Sequence, residues 1–204
     1  MVAAMSDKNA LVIDAQGVCS AVRQVPSPNC DVRPNENVPD MVVIHNIHLP
    51  PGEPGTMAFS GDAIERLFTN CLDIDAHECF AELSNLRVSA HFLIRRDGEI
   101  VQFVPCNLRA WHAGVSSWQG RERCNDFSIG IELEGSDFVP FEAIQYVQLN
   151  LLLNALQARY PIAHVVGHSE IAPGRKTDPG PFFVWENLMS SVLELRQTGY
   201  ISRS

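Results

Sequence analysis

The order of secondary-structure patterns predicts an α/β or α+β domain built around a β-sheet. Short apolar runs typical of strands alternate with helical patterns, and an Asp97-Gly98 pair between two β-rich runs favours a hairpin. The chain has 204 residues, of which 46% are hydrophobic, so it can bury a sizeable core. We therefore expect one globular domain that contains both strands and helices.

The first predicted elements are a buried strand, a stiff loop and a helix. Residues 41–44 form a nearly continuous apolar run, which is typical of a buried strand. Prolines and glycines exclude regular structure over residues 48–55 and predict a surface loop. Ser60 is the predicted N-cap of a helix that runs to Phe68 and carries its apolar residues on one face.

The middle of the chain predicts a hairpin and an alternating strand. Residues 91–96 and 99–104 are the arms of the hairpin, and the Asp-Gly pair between them is one that type I′ turns prefer. Over residues 127–134 apolar and polar side chains alternate. A strand there places its apolar residues on one face and both of its glutamates on the other.

The C-terminal part predicts a long helix, a short strand and a closing helix. The helix covers residues 141–160 and is ended by Pro161. Residues 162–166 are a short buried strand that delivers His168 just past its end. Residues 182–195 can form the closing helix.

Charge and composition exclude several classes of function. The formal net charge of -9 repels polyanions, and no concentrated basic stripe is present, so we expect no nucleic-acid partner. We also expect no membrane partner and no export signal, because the early apolar run at residues 10–13 is too short. A cytoplasmic location follows, in which the cysteines remain thiols. None of the six forms a C-x-x-C pair: Cys19, Cys30, Cys71, Cys79, Cys106 and Cys124.

A turn-rich loop from His168 to Gly180 brings a histidine, a lysine and an aspartate together. Imidazoles and carboxylates are zinc ligands, and a catalytic site uses three of them with one position open for water. His45 follows the strand over residues 41–44, just as His168 follows its own strand, and it is the candidate third ligand. The sequence thus suggests His45, His168 and Asp178 as a zinc site.

Two alternatives concern these ligands. His45 can be a surface histidine and Asp178 a turn residue before Pro179. His164 and His168 are four residues apart, as in the helical H-E-x-x-H motif. Their segment lacks the glutamate of that motif and favours a strand, where this spacing holds two side chains too far apart to share an ion. The His164 pairing is rejected on that ground.

Two further residues are candidates for proton transfer and charge stabilisation. Glu132 is the candidate general base, because a carboxylate that faces a partly buried site can take a proton from water. Gly130 leaves room on the same face for a ligand or a metal. Glu134 shares this face, and the alternative is that both carboxylates are merely solvated. Lys176 could stabilise an oxyanion, against the alternative of an exposed loop lysine.

Several other side chains are candidates for substrate contact. Trp111-His112 could stack on a sugar or form a pocket wall, with a packed aromatic as the ordinary alternative. Arg87, Arg121 and Arg123 could bind ligand carboxylates through paired hydrogen bonds. For any one of these arginines alone, a surface charge is the ordinary reading.

Long blocks of the sequence, in order, carry a family resemblance. The blocks are V-V-I-H-N with L-P-P-G-E after it, L-R-V-S-A-H-F-L-I-R-R-D-G-E-I-V-Q, R-A-W-H-A-G-V-S-S-W-Q-G-R-E-R-C-N-D, S-I-G-I-E-L-E-G and G-H-S-E-I-A-P-G-R-K-T-D-P-G. They resemble the cytoplasmic 1,6-anhydro-N-acetylmuramyl-L-alanine amidases of the AmpD type, in the zinc amidase and peptidoglycan-recognition superfamily. The likeness runs from Val25 to Trp185.

The resemblance implies a fold and a set of site residues. The implied fold is a single domain with a central mixed β-sheet flanked by helices. His45, His168 and Asp178 match the zinc ligands of the family, Glu132 its catalytic carboxylate and Lys176 its transition-state lysine. The positions that match residues around the muropeptide are Asn46, Arg87, Trp111 and Arg123.

The resemblance also implies a reaction. It is hydrolysis of the amide between the lactyl group of an anhydromuramyl sugar and the L-alanine of the stem peptide, in peptidoglycan recycling, with one zinc ion per chain. A muropeptide-sensing module without catalysis is the alternative, and retention of the full residue set favours the hydrolase. We expect a monomer with an N-terminal extension over residues 1–24 and an amidase domain over 25–204.

Overall fold

Ten strands and four helices form an α/β domain in the computed structural model, which describes residues 10–50 and 59–201 and side chains up to residue 196. The strands are β1 Arg23–Gln24, β2 Cys30–Val32, β3 Met41–Ile47, β4 Phe92–Ile94, β5 Ile100–Gln102, β6 Leu108–Ala110, β7 Ser117–Trp118, β8 Arg121–Glu122, β9 Ser128–Glu134 and β10 His164–Gly167. The helices are α1 Ala63–Phe68, α2 Ala143–Arg159, α3 His168–Ile171 and α4 Ser190–Ile201. Short 3-10 turns occur at Pro34–Glu36, Glu78–Leu83, Cys124–Asp126 and Trp185–Asn187.

The central sheet has six strands in the order β1-β5-β4-β9-β3-β10. Only β4 and β5 run antiparallel to each other, and all other neighbours in this sheet are parallel. Two small antiparallel pairs, β2 with β6 and β7 with β8, lie outside it. The mixed sheet flanked by helices confirms the predicted fold class.

Strand β9 lies at the centre of the sheet and is buried along its whole length. Its alternating apolar residues, Ile129, Ile131 and Leu133, join the main core together with the buried face of α2. The opposite face carries the glutamates, as the alternation predicts. That face is covered as well, so a carboxylate on it is removed from water.

The register of the parallel strands sets the level of the site. In the β3–β9 ladder His45 lies opposite Glu132, and in the β3–β10 ladder Ile44 lies opposite Gly167, the residue before His168. The carboxyl ends of three neighbouring strands therefore present these side chains at one level. Strand β3 runs on to Ile47, so the prediction that His45 lies beyond the strand was wrong by a few residues.

The predicted hairpin forms between β4 and β5, but its turn differs from the expected type. Gly98 has a φ of +88°, whereas Asp97 is not in the left-handed region that a type I′ turn requires at both central positions. The amide of Gly98 donates to the carbonyl of Arg95 at 3.0 Å, and the amide of Arg95 donates to the carbonyl of Glu99 at 2.9 Å. The connection is a type I turn followed by a glycine bulge.

Helix α1 buries the three predicted apolar residues, Ile64, Leu67 and Phe68. It begins at Ala63 after Asp62, so the prediction of Ser60 as its N-cap was wrong. Helix α2 matches the prediction within a few residues.

The closing helix begins at Ser190 and not near residue 182, so this predicted boundary was also wrong. Side chains of α2 bond backbone groups before Ser190, and the Met189 amide and Asn187 carbonyl among them are groups that a longer helix would need. The amide of Val184 donates to the hydroxyl of Tyr146 at 2.8 Å. The Asn150 side chain bonds the amide of Met189 at 2.9 Å and the carbonyl of Asn187 at 2.9 Å.

The N-terminal segment packs against the sheet. Ile13 and Cys19 are buried in the main core, and β1 adds to the sheet edge beside β5. The amide of Cys19 donates to the side chain of Gln102 at 2.8 Å. Residues 10–24 thus have a structural role that the sequence did not predict. Residues 1–9 of the predicted extension and residues 51–55 of the predicted surface loop lie outside the described residues.

All six cysteines are free thiols, as expected. Within the described ranges, no helix is both long enough and apolar enough to cross a membrane.

Candidate metal centre

Three buried side chains converge at the carboxyl ends of β3 and β10. The Nδ1 atom of His45 lies 3.0 Å from Nδ1 of His168 and 2.9 Å from Oδ2 of Asp178, and His168 Nδ1 lies 3.0 Å from the same oxygen. The three atoms form a nearly equilateral triangle. His45, His168 and Asp178 are the one group of three or more potential ligands that converges in this way among the described residues.

The triangle fits a zinc ion with one free coordination position. Ligand atoms about 2.0–2.2 Å from a tetrahedral zinc ion lie roughly 3.3–3.6 Å apart, slightly farther than the observed separations. These three side chains would hold the ion, and a catalytic zinc site keeps a fourth position for water. Two imidazoles and one carboxylate are also a donor set that zinc accepts.

The electrostatics favour the protonation states that bind a metal. Burial lowers the pKa of His45 to about 4, although Asp178 opposes this effect. Burial alone would raise the pKa of Asp178, but hydrogen bonds from His168 and His45 outweigh it and hold that pKa below its ordinary value. At neutral pH the site therefore contains a neutral His45 and an ionised Asp178, which are the ligand forms of both groups.

Backbone contacts fix the ligands on the β10 side. The Nε2 atom of His168 lies 3.0 Å from the carbonyl oxygen of Ala113, which can accept its hydrogen. The amide of Ser169 donates to the carbonyl of Asp178 at 2.9 Å and ties the two ends of the loop together. Gly167 precedes the short helix α3 and its amide is bonded by the Glu170 carboxylate at 2.6 Å.

Glu132 and Glu134 share one strand face but have different surroundings. The carboxylate of Glu134 accepts from the amide of Arg96 at 3.1 Å and pairs with the Arg95 guanidinium at 3.4 Å. Glu132 is buried, and among the described residues its Oε2 has no hydrogen-bond partner. Burial, followed by the nearby charge of Asp178, raises the pKa of Glu132 well above its ordinary value. Glu132 is therefore the carboxylate with a free oxygen beside the cluster of three candidate ligands, His45, His168 and Asp178.

Lys176 is exposed, with its amide bonded to the carbonyl of Ala172 at 3.1 Å. Its positive charge lowers the pKa of both Glu132 and His45. The ammonium group is therefore within electrostatic range of the cluster.

The predicted substrate residues lie in different surroundings. Arg123 lines a cavity of about 530 Å³ together with Arg175 and residues of the segment after His168. Arg87 lies on another exposed loop and donates to the carbonyls of Ser84 and Leu86. Arg87 does not line this cavity, and neither do the three candidate ligands or Glu132.

Asn46 and Trp111 contact other protein groups. The side-chain amide of Asn46 donates to the carboxylate of Asp137 at 2.8 Å and to the carbonyl of Pro179 at 3.1 Å. It therefore holds the segment that follows Asp178. Trp111 is half-buried, and its amide donates to the hydroxyl of Ser89 at 3.1 Å. Arg121, the third candidate arginine, pairs with Asp40 at 2.8 Å and lies over the ring of Phe127.

The sequence did not predict the role of His112. Its Nδ1 lies 2.9 Å from Nε2 of His45. The space above Gly130, expected to hold a ligand or a metal, is filled by this ring, since a Cβ at Gly130 would lie 2.5 Å from Cγ of His112. A glycine in the middle of a buried strand was the one sequence feature that indicated a close approach.

Known proteins resemble this chain over most of its length. The sequence profile of the Amidase_2 family, N-acetylmuramoyl-L-alanine amidase, matches residues 35–181. The 1,6-anhydro-N-acetylmuramyl-L-alanine amidase AmpD of Citrobacter freundii is 56% identical over 179 residues, which cover 87% of this chain and 93% of that protein.

Two solved structures extend the likeness to the fold. The crystal structure of a Se-Met AmpD derivative is 55% identical with a TM-score of 0.82, and the match covers 91% of this chain and 99% of the other. A complex of the Escherichia coli amidase AmiD with anhydro-N-acetylmuramic acid-L-Ala-D-gamma-Glu-L-Lys is 31% identical with a TM-score of 0.51, over 91% of this chain and 65% of the other. The chain therefore belongs to the N-acetylmuramoyl-L-alanine amidase family.

Proposed function

We propose that this protein is a zinc-dependent amidase that cleaves the bond between the lactyl group of 1,6-anhydro-N-acetylmuramic acid and the L-alanine of its stem peptide, in peptidoglycan recycling. The observation that carries the proposal is the buried Glu132, with one unpartnered oxygen, beside the triangle of His45, His168 and Asp178. A binding module needs no such carboxylate. The high identity to AmpD supports the anhydromuramyl substrate.

The catalytic residues divide the work between proton transfer and charge stabilisation. His45, His168 and Asp178 would hold the zinc ion, which lowers the pKa of water and polarises a carbonyl group. Glu132 takes a proton from the attacking water and then gives it to the leaving amine. Lys176 faces the negative charge that develops on the carbonyl oxygen. One carboxylate thus serves both proton steps.

The substrate and setting follow from the same proposal. We propose that the enzyme acts as a monomer on small anhydromuropeptides in the cytoplasm, with residues 25–204 as the amidase domain. The resemblance to AmpD-type enzymes supports each of these points. Asn46, Arg87, Trp111 and Arg123 are the proposed substrate-binding residues, and Asn46 also positions the Asp178 loop.

One assay tests the function directly. The purified full chain is incubated with an anhydromuropeptide and, separately, with intact sacculi, each with and without a zinc chelator. We expect release of free stem peptide from the anhydromuropeptide, loss of that activity with chelator, and its return when zinc is added back. Binding of the anhydromuropeptide without any peptide release would show a sensing module and would contradict the amidase proposal.

Arg123 and Arg87 are proposed to bind the carboxylates of the stem peptide. A protein with a net charge of -9 must hold an anionic peptide by local charges. A hydrogen bond to a charged group contributes about 1.5–3 kcal/mol, so Arg123→Ala and Arg87→Ala should each raise KM by roughly 10-fold to 100-fold.

Substrates with and without the stem carboxylates separate this role from a general loss of structure. Wild type should bind the carboxylate-free substrate more weakly, and each variant should lose that preference. An equal preference in wild type and variant would remove the assigned role of that arginine. Arg66→Ala is the control, because Arg66 is an exposed arginine that pairs with Asp62 on α1.

A further inference from the structure

His112 contacts His45 on the side that faces away from the other two candidate ligands. His45 presents Nδ1 to the other two ligands, so its Nε2 points away from the cluster and lies 2.9 Å from Nδ1 of His112. On the other side of the ring, Nε2 of His112 lies 3.2 Å from Oγ of Ser128. The hydroxyl of Ser128 donates to the carbonyl of Cys124 at 2.6 Å. These groups form one series of hydrogen bonds from the three candidate ligands to a backbone carbonyl.

The hydrogen bonds from His45 through His112 to Ser128 have one consistent direction. A ring nitrogen that binds a metal carries no hydrogen, so a His45 bound through Nδ1 carries its hydrogen on Nε2. That N–H donates to Nδ1 of His112, which then carries its own hydrogen on Nε2 and donates it to Ser128. Ser128 can accept, because its hydroxyl hydrogen is already directed at Cys124. Every donor has an acceptor, and the tautomer of each ring is fixed.

The surroundings of His112 hold its ring in this place. Gly130 provides the space, since any Cβ there would collide with the ring. The side-chain oxygen of Asn125 accepts from the amides of His112 at 3.1 Å and Ala113 at 2.8 Å, which fixes the backbone on both sides.

We infer that His112 is a positioning residue, which orients the imidazole of His45 and strengthens it as a metal ligand by accepting its Nε2 hydrogen. The inference rests on the zinc-dependent function proposed above and adds a residue that does not itself touch metal or substrate. Groups that hold a ligating histidine in this way typically contribute about 10-fold to 100-fold to metal affinity or activity.

The test compares two substitutions at position 112 in the full chain. His112→Leu removes the acceptor, whereas His112→Asn places an amide oxygen close to the position of Nδ1. Zinc affinity is measured by competition with a chromophoric chelator, and ligand geometry by the visible absorption of the Co²⁺-substituted protein. We expect about 10-fold to 100-fold weaker zinc binding and an altered Co²⁺ spectrum for His112→Leu, with most of the affinity retained in His112→Asn.

Further variants separate positioning from folding. His164→Leu is the matched control, because His164 lies at the start of β10 and bonds no ligand of the cluster; its zinc affinity should equal that of wild type. Ser128→Ala should weaken zinc binding less than His112→Leu does. Thermal unfolding of the metal-free proteins shows whether a loss of affinity reflects a loss of fold.

The results distinguish this inference from the proposed function. Unchanged zinc affinity and an unchanged Co²⁺ spectrum in His112→Leu would overturn the inference while wild type still cleaves its substrate. An equal loss in His112→Leu and His112→Asn would also overturn it, because the acceptor would then be irrelevant. Failure of wild type to bind zinc would instead refute the proposed function.

Discussion

Replacing Glu132 with glutamine is expected to lower kcat by about 10²-fold to 10⁴-fold while the zinc content of the protein stays at the wild-type level. Glutamine keeps the size of the side chain but cannot take a proton from water or return it to the leaving amine. Steady-state kinetics on an anhydromuropeptide and metal analysis of the same preparation measure both quantities. Near wild-type turnover with full zinc content would remove Glu132 from the reaction.

Glu134→Gln is the matched control for this variant. It makes the same chemical change on the same face of β9, but Glu134 is paired with Arg95 and Arg96 and has no free oxygen beside the cluster. We expect its kcat to remain within a few-fold of wild type. A large loss in both variants would show that the carboxylate face acts through structure and not through proton transfer.

The pH dependence of kcat is a second test of Glu132 as the general base. A general base must be ionised, so activity should fall as the pH decreases through its pKa. Burial and the charge of Asp178 raise that pKa above the ordinary value, while Lys176 opposes them. The acidic limb of kcat should therefore lie above the range of an ordinary glutamate, and the residual activity of Glu132→Gln should lack this limb.

The same shift has a consequence for the stability of the metal-free protein. The folded-state pKa of Glu132 exceeds its unfolded value, so its contribution to stability is fully present below the unfolded pKa and is lost as the pH rises through the folded one. At neutral pH an ionised Glu132 without a partner costs stability. Metal-free Glu132→Gln should unfold at a temperature no lower than metal-free wild type.

The three proposed zinc ligands could be brought together from sequence because parallel strands end at a common edge. Two buried apolar runs, each followed by a histidine, place His45 and His168 at neighbouring strand ends once the strands pair. Asp178 could be added because the loop after His168 is short. The family resemblance then favoured these residues over the surface and turn alternatives, and in the structure the three side chains lie together.

Other features could not be predicted because they depend on contacts distant in the chain. Alternation along β9 puts Glu132 and Glu134 on one face. Their surroundings differ because Arg95, from a neighbouring part of the sheet, pairs with Glu134. The late start of α4 is likewise set by side chains of α2, whereas the type of the hairpin turn is set by the local backbone. His112 lies on a loop, where no periodicity indicates its direction.

Lys176→Ala is expected to lower kcat by about 10²-fold or more without loss of zinc, because an oxyanion donor is removed. Thr177→Ala, an exposed neighbour on the same loop, is the control and should keep wild-type activity. The charge of Lys176 also lowers the pKa of Glu132. Its removal should therefore move the acidic limb of the pH profile to higher pH.

These two effects of Lys176 can be told apart. If the lysine only tuned the protonation of Glu132, the activity of Lys176→Ala would return to the wild-type level at a pH well above the shifted limb. If the lysine stabilises the charge that develops on the carbonyl oxygen, the loss in kcat persists at every pH. A pH-independent deficit of about 10²-fold thus supports the oxyanion role, and full recovery at high pH contradicts it.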